Sequence, residues 1–175
     1  MKKEVFNKFK DNNELISIYQ DIEDMDAVDT GLVYDVNEDH LILYKLSKDG
    51  NFDGLLLLRL EDIFRFDFDG KYEKLFKYSK TIDLRSDYNF DTNNDFIIEF
   101  LKYSKDNRKV ISICIEDFPD TGISCMVEEW NDDVVLLSVY DEYGEYDCKT
   151  YISINNISSI YLDTDYEKGI NRLIN

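Results

Sequence analysis

The carboxylates are the residues of this chain whose number and spacing could do chemistry. Asp and Glu total 38 against 20 Lys and Arg, which gives a formal net charge of −18. The charge is uneven, since 11 carboxylates and no Lys or Arg lie between Val110 and Cys148. Such a surface attracts basic partners and repels nucleic-acid phosphate and anionic membranes. The alternative is an acidic, solubilising surface without a specific partner.

The other reactive side chains do not form a catalytic or metal-binding pattern. His40 is the only histidine, and no Ser or Cys can be placed beside it from the sequence, so a catalytic triad is not supported. Residues 91–95 begin like an EF-hand loop, but Phe96 stands where that loop needs glycine and Lys102 where it needs glutamate. We therefore expect a protein that is not an enzyme, with no catalytic residue, no metal site and no cofactor.

The cysteines and the start of the chain bear on the compartment. All three cysteines lie in the second half without Cys-x-x-Cys spacing, so neither structural zinc nor a disulfide framework shared by both halves is expected. Buried reduced thiols are the interpretation. Residues 1–8 are too charged for a signal peptide, and no apolar run has the length of a membrane span. These features predict a cytoplasmic protein that does not bind a membrane.

An internal repeat organises the elements that must position the carboxylates. The segment Asp-Gly-Lys-Tyr-Glu-Lys at 69–74 returns as Asp-Thr-Asp-Tyr-Glu-Lys at 163–168, and Ile-Ser-Ile at 16–18 returns at 111–113. Thr30-Gly31 is matched with Thr121-Gly122. The repeat predicts two related halves, 1–85 and 86–175.

Each half is predicted to contain a helix, five short strands and a closing helix. Val5, Phe6 and Phe9 give the first helix its apolar face, and Asp91 or Thr92 is predicted to cap the corresponding helix of the second half. The strands predicted from apolar runs and turn residues are 15–19, 31–36, 41–46, 54–60 and 63–68, then 110–115, 122–128, 134–140, 148–154 and 157–163. The predicted closing helices are 73–78 and 167–173.

The duplicated segment at 69–74 and 163–168 could be a duplicated active site, with Tyr72 and Tyr166 as reactive groups. We favour a structural interpretation instead. In it, the aspartate caps the closing helix and the tyrosine packs that helix against the strands.

This order of elements resembles the Sm-like fold, a helix followed by a bent five-stranded barrel. The matching residues are Gly31, Val33 and Val36, followed by Asp-His-Leu-Ile-Leu at 39–43. The resemblance implies a mainly β fold with short helices, built from two tandem Sm/SH3-like five-stranded barrels. Sm-like proteins bind RNA through a polar loop residue and a basic Arg-Gly or Lys-His step. This chain has neither the expected Asn beside Leu41-Ile42 nor a basic step before the fifth strand, so the RNA-binding residues do not carry over.

Trp130 is interpreted as part of a three-residue insertion that the first half lacks, flanked by Glu128-Glu129 and Asn131-Asp-Asp133. In that position it could anchor a basic partner, because a Trp side chain supplies contact area and carboxylates supply steering. Alternatively, it folds back over the end of the barrel.

The leading hypothesis is a non-enzymatic protein-binding module that engages a basic protein, in its concrete form an immunity or inhibitor protein that masks a basic toxin or nuclease. The predicted partner-binding residues are Glu116, Asp117, Asp120, Glu128, Glu129, Trp130, Asp132, Asp133, Asp141, Glu142, Tyr143 and Glu145. The competing hypothesis is a degenerate Sm-like nucleic-acid-binding protein with a basic patch on the first half, formed by Arg59, Arg65, Lys71, Lys74, Lys77 and Lys80. Barrel edges also allow a homo-oligomer.

Overall fold

The computed structural model describes residues 1–24, 26–76, 88, 90–116 and 118–174 and is mainly β, with helices flanking the strands. The chain divides into two compact units, Met1–Tyr88 and Asn89–Asn175. The predicted boundary, between residues 85 and 86, lies outside the described residues. Both units follow the predicted order of a helix, five strands and a closing helix.

In the first unit, antiparallel strands pair in the order β5-β1-β2-β3-β4. The elements are α1 (Lys3–Asn12), β1 (Leu15–Tyr19), β2 (Val28–Val36), β3 (His40–Leu46), β4 (Phe52–Arg59), β5 (Arg65–Phe68) and α2 (Lys71–Phe76). Phe6 and Phe9 of α1 are buried and contact the Phe66 ring on β5, with ring centroids 5.2 and 5.4 Å apart. The predicted apolar face is therefore correct for these two residues, whereas Val5 is exposed.

In the second unit, the same order recurs as β10-β6-β7-β8-β9. The elements are α3 (Phe96–Asn107), β6 (Ile111–Ile115), β7 (Phe118–Trp130), β8 (Val134–Tyr140), β9 (Tyr146–Ser153), the 3-10 turn η1 (Ile154–Asn156), β10 (Ile157–Leu162) and α4 (Asp165–Ile174). The cap of α3 is Asp95, which accepts hydrogen bonds from the N–H groups of Ile97 and Ile98 at 2.7 and 3.3 Å. The prediction of Asp91 or Thr92 was wrong, because the helix begins only at Phe96.

Each closing helix begins two residues nearer the N-terminus than predicted. The predicted helix at 73–78 is observed as α2 up to Phe76, and residues 77 and 78 lie outside the described residues. The predicted helix at 167–173 is contained in α4.

The strand register changes the alignment of the two units. Ser17 pairs with Thr30 in the first unit, and Ser112 pairs with Ser124 in the second. Thr30-Gly31 therefore corresponds to Ser124-Cys125, and the sequence match with Thr121-Gly122 was wrong. A literal identity misled the alignment, since pairing rather than residue type sets which positions are equivalent.

In the second unit, the register and two backbone hydrogen bonds require a strongly bent sheet. In a flat sheet, Trp130 on β7 and Ile115 on β6 would lie about 30 Å apart, since about nine register positions separate them. The turn Ile154–Asn156 nevertheless reaches both ends, because it bonds to the carbonyl of Asp133 at 2.9 Å and to the N–H of Glu116 at 3.0 Å. Register shifts in β7 and β9 mark bulges, which bend strands in this way.

Candidate functional site

The duplicated segment places a buried glutamate at the start of each closing helix. Glu167 is 2% exposed and accepts hydrogen bonds from Ser112 Oγ at 2.5 Å, from Thr164 N–H at 3.1 Å and from Thr164 Oγ1. In the first unit, Glu73 is 3% exposed and accepts from Ser17 Oγ and from Gly70 N–H, the latter at 2.9 Å. The two repeated motifs, Ile-Ser-Ile and Tyr-Glu-Lys, thus meet through their Ser and Glu side chains.

This contact is the carboxylate half of a capping box, in which the third helical residue reaches back to the residue before the helix. The predicted capping role of the aspartates was wrong. Asp69 and Asp163 adopt left-handed backbone conformations with φ of 57° and 54°, one residue ahead of the capping position. Tyr72 is 41% exposed, and Tyr166 is 53% exposed although its hydroxyl accepts a hydrogen bond from Ser124 Oγ on β7 at 3.5 Å. The duplicated segment therefore fastens the closing helix to the first strand.

The described partner-binding residues predicted from the sequence fall into two groups at opposite ends of β8. One group surrounds the β7–β8 turn. Glu116 belongs to it because η1 bonds both to the backbone of Glu116 and to that of Asp133. The group comprises Glu116, Glu128, Glu129, Trp130, Asp132 and Asp133. The other occupies the β8–β9 turn and comprises Asp141, Glu142, Tyr143 and Glu145. Because β8 spans Val134–Tyr140, the two turns lie about 20 Å apart along the strand. Asp117 and the side chain of Asp120 lie outside the described residues.

Trp130 is not in an insertion. It pairs with Val135 as the last residue of β7, at the position that Val36 occupies when it pairs with Leu41 in the first unit. Its ring is partly buried and lies 5.5 Å from the ammonium nitrogen of Lys105 on α3. Of the two interpretations of this side chain, the geometry agrees better with a Trp folded back onto its own unit.

The side chain of Glu128 is engaged by residues on β8 and β9 of the same unit. It accepts a hydrogen bond from Ser138 Oγ at 2.5 Å and lies 3.5 Å from Lys149 Nζ. The hydrogen bond from Ser138, supported by the charge of Lys149, lowers the pKa of Glu128 from its usual value of 4.5. The other carboxylates of this group, Glu116, Glu129, Asp132 and Asp133, are exposed.

The β8–β9 tip, defined here as residues 140–147, has a backbone held by side-chain hydrogen bonds. Asp141 Oδ1 accepts hydrogen bonds from the N–H groups of Tyr143 at 2.9 Å and Glu145 at 2.8 Å. Gly144 adopts a φ of 76°, and a Cβ built on it would lie 2.7 Å from Cβ of Leu173. The turn is thus fixed by Asp141 on one side and by close approach of α4 on the other.

The side chains of the β8–β9 tip project acidic and aromatic groups into solvent. Tyr143 is 70% exposed and Tyr146 is 57% exposed. Glu142, Glu145 and Asp147 are exposed, and within the described part of the chain no Lys or Arg forms a salt bridge with them. Tyr146 and Asp147 were missed by the prediction. The signal was present, because residues 140–147 contain only acidic residues, tyrosines and one glycine.

In the corresponding turn of the first unit, the matching carboxylate is paired with a lysine and the matching aromatic ring is less exposed. Asp53, the counterpart of Asp147, lies 3.4 Å from Lys45 Nζ, whereas Val139 stands at the position of Lys45 in the second unit. Phe52, the counterpart of Tyr146, is half-buried and lies 5.7 Å from the Tyr44 ring, whereas Tyr146 lies 6.0 Å from the Tyr140 ring and is 57% exposed. The two units therefore differ at this turn in both charge and aromatic exposure.

The basic patch predicted for the first unit is largely paired with carboxylates. Arg65 donates two hydrogen bonds to Asp67, at 2.8 and 2.5 Å, which lower the pKa of that carboxyl group. Lys74 lies 3.1 Å from Asp69, and Arg59 lies 3.7 Å from Glu61. Lys71 is exposed, and Lys77 and Lys80 lie outside the described residues. The described cations of this patch are thus mostly engaged within the unit.

The remaining reactive side chains are placed as follows. His40 is buried at the start of β3. All three cysteines are free, with Cys114 and Cys125 buried, and burial raises the pKa of the Cys125 thiol. Cys148 is exposed, so the prediction of a buried thiol was wrong there. Within the described ranges, no three His, Cys, Asp or Glu side chains are grouped so as to hold a metal ion.

Comparison with known proteins finds no family model that matches the chain, and no curated protein or solved structure that is detectably similar to it. None of the helices in the described part of the chain combines the length and the apolar character needed to cross a membrane.

Proposed function

We propose that the chain is a non-enzymatic, acidic protein-binding module whose β8–β9 tip engages a positively charged protein surface. The observation that carries the proposal is the tip itself, where exposed Tyr143 and Tyr146 alternate with carboxylates that lack a cationic partner among the described residues. Tyrosine supplies contact area at a protein interface, and the surrounding carboxylates accelerate association with a basic surface. In the corresponding turn of the first unit, Asp53 is paired with Lys45 and Phe52 is half-buried, so that turn is less suited to such a partner.

The fold we propose for each unit is a small Sm/SH3-like barrel. Three features support it: a helix precedes five antiparallel strands, the strands are bent at bulges, and a short turn connects the fourth strand to the fifth. Bent strands of this kind curl a five-stranded sheet toward a closed barrel.

In its concrete form, the proposal is a cytoplasmic immunity or inhibitor protein. Its carboxylates would occupy the nucleic-acid-binding surface of a basic toxin or nuclease, where they take the place of phosphate groups. The net charge of −18 supports such a partner, because opposite charge steers the encounter.

The experiment that tests this function compares two classes of partner. The full chain is used to capture proteins from its source cells at low salt, and the captured protein is purified and titrated. In parallel, a fluorescent single-stranded RNA oligonucleotide is titrated by anisotropy at the same ionic strength. We expect a basic protein to bind in a salt-sensitive manner and the RNA not to bind. Tight RNA binding would instead support the degenerate Sm-like nucleic-acid-binding protein.

A further inference from the structure

Strand β9 is exposed in a way that its counterpart in the first unit is not. All residues from Tyr146 to Tyr151 are exposed or half-buried, and Tyr151 is 65% exposed. In the matching stretch of β4, Phe52–Leu57, the first two residues are half-buried and the other four are buried. The register aligns Leu55 with Lys149, since Leu55 pairs with Tyr44 and Lys149 with Ser138. The strand is thus apolar and buried over most of its length in the first unit, and polar and accessible in the second.

The backbone of β9 is paired on one side only within the described part of the second unit. Its pairing with β8 runs from Tyr146 opposite Tyr140 to Ser153 opposite Val134, and β9 stands last in the order β10-β6-β7-β8-β9. In an antiparallel strand, alternate residues direct their N–H and C=O groups to opposite sides. About half of the residues of β9 therefore present hydrogen-bonding groups that an added strand can use.

The negative charge around β9 indicates that the added strand is a cationic segment. Strand β9 starts directly at the acidic tip, beside Glu142, Glu145 and Asp147. Its one cation, Lys149, lies 3.5 Å from Glu128, which offsets part of its charge. A second copy of this chain would bring another net charge of −18 to the same edge, whereas a Lys- or Arg-bearing strand complements it.

We propose that β9 binds an extended, basic segment of the partner protein as an additional strand, with the acidic tip contacting its cationic side chains. This proposal rests on the proposed function and specifies how the partner is held: backbone hydrogen bonds supply affinity, and the carboxylates select positive charge.

The test uses the full-length chain and three peptides of equal charge. The parent peptide is Val-Lys-Val-Lys-Val-Lys-Val with blocked ends. Two controls carry N-methyl groups on either the valines or the lysines, so each removes the N–H donors from one edge of the peptide. We expect the parent to bind, one methylated peptide to bind roughly tenfold or more weakly, and the other to bind nearly as well as the parent.

Amide hydrogen exchange gives the second readout. In the presence of the parent peptide, alternate amides of residues 146–153 should become protected, whereas the amides of β8, which is paired on both sides, should change little. Equal binding of all three peptides without protection of β9 would show contact through side chains alone and overturn the proposal. Binding by none of them would overturn the proposed function as well. Concentration-dependent protection of β9 without peptide would identify a second copy as the occupant and also overturn it.

Discussion

At the residue scale, two buried glutamates connect distant parts of their units. Glu167 on α4 is joined to Ser112 on β6, and Glu73 on α2 is joined to Ser17 on β1. The sequence showed both repeated motifs but not their contact, because 55 and 56 residues separate the paired side chains. Only the packing of the closing helix on the first strand brings them together.

The first prediction concerns Glu167. Glu167→Ala should lower the free energy of unfolding by about 2–4 kcal/mol, because it leaves the Ser112 hydroxyl and the Thr164 N–H buried without their acceptor. Urea unfolding measures the loss. Glu167→Gln retains one acceptor oxygen and should lose less, and Asp106→Ala on an exposed site should change little. A Glu167→Ala variant as stable as Asp106→Ala would contradict the capping role.

A second residue-scale prediction concerns the pKa of Glu128. Its pKa in the folded chain is lowered chiefly by the hydrogen bond from Ser138, so Ser138→Ala should raise that pKa toward 4.5. Because the folded pKa is depressed, the carboxylate stabilises the fold above its usual pKa, and this contribution disappears as the pH falls through the folded value. Carboxyl titration by NMR measures the shift, and Lys149→Met should shift the pKa by a smaller amount. An unchanged pKa in Ser138→Ala would contradict the assignment.

At the element scale, substitution of Gly144 in the tip and of Gly169 in α4 should change the stability in opposite directions. Gly144→Ala should destabilise the chain by about 1–3 kcal/mol, because its φ of 76° disfavours a side chain and the new Cβ would meet Leu173 at 2.7 Å. Gly169→Ala should instead stabilise it by about 0.5–1 kcal/mol, since Gly169 lies within α4 and a Cβ there has no neighbour within 4 Å. Thermal unfolding compares the two. Equal effects would contradict the structure of the tip.

The secondary structure was largely predictable from the sequence, whereas the residue-by-residue correspondence between the two units was not. Alternating apolar residues and turn residues located all ten strands, and 15–19 and 134–140 were predicted with their observed bounds. Gly31 was matched with the wrong residue. The first unit needs glycine at this position, because a Cβ there would lie 2.2 Å from the carbonyl oxygen of Tyr44. The second unit has Cys125 at the same register position. Because only one unit requires glycine there, a search for identical residues could not show which positions of the two units are equivalent.

At the scale of the whole molecule, the net charge of −18 does not by itself define a site. The predicted acidic residues lie at both ends of β8, and Glu128 and Asp141 are engaged in intramolecular hydrogen bonds. The sequence indicated the sign of the partner's charge. It did not indicate which carboxylates are available, because that depends on which of them the sheet and the turns use.

The most direct test of the account compares two variants with the same change in net charge. The first neutralises the tip by Glu142→Gln, Glu145→Gln and Asp147→Asn. The control neutralises three exposed carboxylates of the first unit by Glu14→Gln, Glu23→Gln and Asp24→Asn. The association rate with the purified basic partner is measured against ionic strength. We predict that the tip variant associates roughly tenfold more slowly at low salt and shows a weaker salt dependence, whereas the control stays close to the original chain. Equal rates for the two variants would show that only the overall charge acts, and would contradict the β8–β9 tip as the binding site.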